Sequence, residues 1–162
     1  MTDLTDWLTA QIDADETAAK AATPGPWRVN DERYPESILA DGEIPTVISG
    51  SHWGGDASVF DNDADARHIA RWDPARVLAE CQAKRDIIAL HEPSYSYGPI
   101  YKIDGEYQRV PACAMCVNFH ADMDCENEHY PCPTLRLLAA PYADAPGYRP
   151  EWAPTGAAKP SG

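Results

Sequence analysis

The chain is short of positive charge. Its 162 residues hold 13 Lys and Arg against 26 Asp and Glu, a formal charge of -13. Phosphate backbones are held by clustered Lys and Arg, so this balance argues against a general nucleic-acid binder. It equally disfavours an anionic membrane surface. A partner with a basic surface is what such a charge would favour, although acidity alone also keeps a protein soluble. Long apolar runs are missing as well. No segment approaches the roughly 18 apolar residues that a membrane-spanning helix needs. The opening MTDLTDWLTA is acidic and lacks the apolar stretch of a secretory signal. A cytoplasmic protein is therefore expected, in a compartment where thiols stay reduced.

Several catalytic signatures are also absent. There is no G-x-x-x-x-G-K-[ST], no G-x-G-x-x-G and no G-x-S-x-G, so phosphate-loop, dinucleotide and hydrolase-elbow chemistry have no support. The H-x-E and P-C-x-x-C pair of the zinc deaminases is missing. No internal repeat is visible.

What is present is a 44% apolar chain with 15 prolines, enough for a core but rich in loops. Leu4, Leu8 and Ile12, with Trp7 beside them, make the apolar stripe of a first helix. Thr2 or Asp3 can cap it, and TPGP at 23–26 ends it near Ala21. WRV then reads as a short strand. SILA and EIPTVIS read as a hairpin turning on Asp41-Gly42, with Pro45 placing the second arm on an edge. A Gly- and Asp-rich loop follows, carrying His52, Trp53 and Phe60. A second helix begins near Asn62 or Asp63. Asp73-Pro74 starts a third, with Asp as cap and Pro in the first turn, running to about His91. A second Asp-Gly hairpin spans 100–110, and PTLRLLAAPY forms a last helix behind Pro133.

Four of the five cysteines lie between residues 113 and 132. In a reduced compartment such a cluster points to metal rather than disulfides. Zinc takes four tetrahedral Cys or His ligands, often as a C-x-x-C knuckle plus a second pair. Cys113 and Cys116 have the knuckle spacing and follow a hairpin. Cys132 stands at the start of a helix, where the free N–H groups favour a thiolate. A knuckle after a hairpin, with another ligand entering a helix, is a treble-clef-like plan. For the fourth ligand Cys125 ranks first and His129 second, the latter as H-x-x-C with Cys132. His120 gives a near-miss of the retroviral knuckle, but the acids around it, Asp122 and Asp124 among them, would repel phosphate. Redox use would want the C-x-x-C at a helix start within a βαβ unit, which is not the pattern here. Glu126 and Glu128 read as solvated loop acids rather than catalytic bases. His68 reads as a helical surface residue, His52 and Trp53 as loop residues at a core edge, and Cys81 as a small buried residue.

Three segments carry a resemblance: AATPGPW (21–27), DARHIARWDPARVLAECQAKRDII (65–88) and PCPTLRLLAAPYADAPGYRPEW (131–152). Together they resemble an uncharacterised family, a domain of unknown function, found in actinobacteria and their phages. Ala145 and Pro150 depart from that family's usual histidine and glutamate. The resemblance implies an origin and no activity. It also implies that residues 142–152 are ordered, with Tyr142, Tyr148 and Trp152 docked on the body.

The expectation is thus an α+β fold. Three to four helices pack on short antiparallel hairpins, and a C-terminal hairpin-plus-helix unit is held by structural Zn2+ through Cys113, Cys116, Cys132 and Cys125 or His129. Residues 1–92 form the core, 93–152 the zinc-stabilised unit and 153–162 a disordered tail. The function expected is a non-enzymatic accessory or protein-interaction module, with a phage or mobile-element origin as its expected context. The alternative is a small-molecule-binding or zinc-dependent enzyme.

Overall fold

Helix α1 (Leu4–Ala21) forms where the sequence repeats apolar residues every four positions. Leu4, Leu8 and Ile12 are fully buried, and Trp7 is nearly so. Its opposite side carries polar groups such as the Glu16–Lys20 pair. The computed structural model describes residues 3–30, 34–41, 46–48, 63–96, 98, 100–116 and 130–154. Pro24, Gly25 and Pro26 stop the helix, since proline supplies no N–H to continue it.

Strands β1 (Trp27–Asn30), β2 (Tyr34–Ala40) and β3 (Thr46–Ile48) form an antiparallel sheet in the order β1-β2-β3. Ile38 lies opposite both Val29 and Ile48. The hairpin read from Asp41-Gly42 is present as the β2–β3 pair, with β3 at the edge. Its turn and Pro45 lie outside the described residues, as do His52, Trp53 and Phe60. Helix α2 (Asp63–Arg71) covers this sheet. Its small Ala66 and Ala70 let it come close to Ile38, with Trp27, Val29, Val47, Ile48 and Ile69 around them.

Helix α3 (Pro74–Leu90) begins as its Asp-Pro start requires. The Arg76 N–H donates to Asp73 Oδ1 at 2.8 Å, a side-chain cap of the first turn. Asp73 Oδ2 accepts a second bond, from the Trp27 N–H at 2.9 Å. Gly25 makes this approach possible, because a Cβ there would lie 2.8 Å from Asp73 Oδ2. The Trp27 ring is also tied, its Nε1–H donating to Thr23 O at 2.9 Å. The TPGPW and WDP segments are therefore two sides of one joint.

Strands β4 (Pro93–Ser94) and β7 (Ala112–Cys113) pair antiparallel, with Pro93 opposite Cys113. Between them β5 (Ile100–Ile103) and β6 (Glu106–Arg109) make the second Asp-Gly hairpin. Asp104 and Gly105 have φ of 53° and 90°, the positive values that a type I′ turn needs at both central residues. Helix α4 (Pro133–Ala139) buries Leu135 and Ala139 and passes into 3-10 turns at Ala140–Tyr142 and Pro150–Trp152. The segment implied to be ordered does dock. Trp7 meets Tyr148 at 5.5 Å and Trp152 at 5.3 Å between ring centroids, and its Nε1–H donates to Pro146 O at 3.0 Å.

The chain divides into two compact units. One comprises residues 1–11 and 84–162, with β4 to β7, α4 and the 3-10 turns. The other comprises residues 12–83, with the three-stranded sheet and α2. The fold is mixed α+β, with four α-helices and short antiparallel pairs among the described residues. No helix among them is long and apolar enough to cross a membrane. The residues of the expected disordered tail beyond 154 lie outside the description.

Candidate metal centre

Cys113 ends β7, and the chain turns back at once. The Cys116 N–H donates to Cys113 O at 3.1 Å, which closes the knuckle that C-x-x-C spacing allows. The Ala114 N–H donates to Glu92 O at 3.3 Å and holds the knuckle against the β4 entry. Cys132 stands immediately before Pro133, in extended conformation at the N-cap of α4. The Arg136 Nε–H donates to Pro131 O at 2.9 Å and its Nη1–H to Glu151 O at 3.2 Å, fixing this entry. On the other side the Tyr130 N–H donates to Pro111 O at 3.2 Å, and its hydroxyl meets that of Thr5 at 2.5 Å.

The fourth donor comes from upstream. His91 closes α3, its N–H shared between Ile87 O and Ile88 O at 3.2 and 3.0 Å. Because β4 pairs with β7, the residue two before Pro93 is carried to the knuckle. His91 Nδ1 lies 3.2 Å from Cys113 Sγ, 3.5 Å from Cys116 Sγ and 3.5 Å from Cys132 Sγ. All four donor atoms fall within 4.8 Å of one another. A tetrahedral zinc ion, with bonds of about 2.3 Å to sulfur and about 2.0 Å to nitrogen, requires N···S separations of about 3.5 Å. The donors therefore stand close to where such an ion would place them. Coordination through Nδ1 would leave Nε2 carrying the ring proton.

The electrostatics agree with that fit. Burial, then the hydrogen bonds that its S–H gives to Cys113 and Cys132 and their charge, push the Cys116 thiol up to about 12. A bound cation reverses that preference by stabilising the thiolate. Cys113 and Cys132 are buried, Cys116 is exposed and His91 is half-buried. None of the described cysteines is in a disulfide. Cys113 ends a strand, unlike the helix-start position of a redox C-x-x-C.

The structure thus brings together three of the cysteines read from spacing and adds His91. Cys125 and His129, along with His120, lie outside the described residues. Sequence reading gave His91 only the role of a helix end. The available signal was a histidine directly before a short strand, which becomes informative once that strand's partner is known. His68 is exposed on α2, its ring 6.4 Å from that of Trp72. Cys81 is buried, with its Sγ 3.8 Å from Ile12 O.

No curated protein and no solved structure matches the chain. The model of DUF6221, a family of unknown function, matches residues 1–154, and the chain belongs to that family.

Proposed function

We propose that this chain is a zinc-stabilised, non-enzymatic accessory module that works by binding another protein. The observation that carries the reading is the donor set of His91, Cys113, Cys116 and Cys132, all within 4.8 Å of one another. Four protein donors fill a tetrahedral shell and leave no position for water or substrate. Three thiolates and an imidazole suit zinc.

An ion in that shell would join the end of α3, the knuckle and the entry of α4. These elements are short: β4 and β7 have 2 residues each and α4 has 7. Pieces of that length do not hold their geometry alone. Metal binding is then folding free energy, as in other small metal-stabilised units. His91 is the fourth ligand in this reading, with Cys125 and His129 as competitors. Reduced thiols fit a cytoplasmic setting. The charge of -13 favours a partner with a basic surface. The resemblance to actinobacterial and phage proteins makes a phage or mobile-element accessory its natural context.

Cobalt substitution tests the closed shell. The expected spectrum is tetrahedral, with strong thiolate charge transfer, and does not change when azide is added. A change on adding azide would mark an open position and favour a zinc enzyme instead.

A further inference from the structure

We propose that a groove beside the metal centre receives an arginine side chain of the protein partner. This rests on the reading of the chain as a protein-binding module, and it assigns that binding a place.

The groove has a volume of about 420 Å³ and lies wholly within the unit formed by residues 1–11 and 84–162. Pockets that bind small ligands begin at about 300 Å³, so a single long side chain fits. Its apolar lining comes from Ile88, Ala89 and Pro93. Its lining also includes the exposed acids Asp3, Asp6 and Glu92. Among the described residues no ion pair or side-chain hydrogen bond engages those three groups. Ile88 and Ala89 belong to the last turn of α3, where the helix dipole presents its negative end. Tyr130 closes the groove, held by its hydroxyl contact with Thr5.

These features specify the occupant. A lining that mixes apolar side chains with carboxylates suits a side chain with an aliphatic stem and a cationic head. Arginine fits better than lysine, because its planar fork can bond two carboxylates at once and stack on an aromatic ring. The groove also adjoins the proposed metal centre through the chain itself. Glu92 and Pro93 follow His91, and Tyr130 precedes Cys132 by two residues.

The test uses the full chain with its metal content measured. Three fluorescein-labelled octapeptides of alternating glycine with arginine, lysine or citrulline are titrated by anisotropy at low salt. Citrulline keeps the shape of arginine and removes its charge. The arginine peptide is expected to bind tightest and citrulline not to bind. Asp6→Asn and Glu92→Gln should each weaken binding about fivefold, and together by more than either alone but not by the simple product, because they share one guanidinium. Asp144→Asn, an exposed acid of the same unit outside the groove, should leave it unchanged. Equal weakening by Asp144→Asn would show diffuse attraction and overturn the site. So would equal binding of the lysine or citrulline peptide, or absence of binding. Metal content on the same samples separates this result from failure of the zinc reading.

Discussion

Asp73 carries two backbone bonds at once, to the N–H groups of Arg76 and Trp27. It is 8% exposed, so its replacement leaves buried donors without partners. Asp73→Ala should lower stability by about 2–3 kcal/mol, the sum of a lost helix cap and a lost buried bond. Chemical denaturation followed by tryptophan fluorescence measures this. Gly25→Ala should destabilise by at least about 1 kcal/mol, because its Cβ would press on the same carboxylate. The double variant should cost less than the sum, since removing the carboxylate relieves much of the clash. Strict additivity would refute the joint. The cap was legible in the Asp-Pro dipeptide. The bond to Trp27, 46 residues away, was not, because no local pattern encodes a contact across that separation.

Among the elements, the β5–β6 hairpin was legible for a reason independent of burial. Both strands are exposed along their whole length, so the Asp-Gly turn and the ladder define it. Gly105 has φ of +90°, and a Cβ there would meet nothing within 4 Å. Gly105→Ala should therefore cost only backbone strain, about 1 kcal/mol. Hydrogen exchange should quicken at the amides of 100–109 and stay unchanged at α1. Strands β4 and β7 were not legible, because two residues show no alternation. That gap hid His91, whose place depends on their pairing. The docked 142–152 segment came from resemblance alone, since its proline and glycine content reads locally as tail. Trp7 explains why it is ordered. Trp7→Ala should remove about 3–5 kcal/mol and expose residues 142–152 to limited proteolysis. Unchanged protection would contradict the docking.

At the scale of the whole molecule, the α+β class followed from helical stripes and Asp-Gly turns, signals that are local. The grouping of residues 1–11 with 84–162 is not local. It depends on contacts such as Trp7 with Pro146, 139 positions apart. Three cysteines of the candidate centre were legible from spacing within twenty residues. The imidazole, 22 positions before Cys113, was legible only in three dimensions. In this account the ion holds together what short elements cannot. A strong chelator should thus lower Tm and loosen residues 91–139 more than the sheet of residues 27–48, as read by hydrogen exchange.

The most direct measurement is zinc stoichiometry, by elemental analysis, in the intact chain and in His91→Ala, Cys125→Ser and His129→Ala. The account predicts about one zinc per chain in the wild type, loss of the metal in His91→Ala and retention in the other two. Retention in His91→Ala with loss in Cys125→Ser or His129→Ala would contradict it.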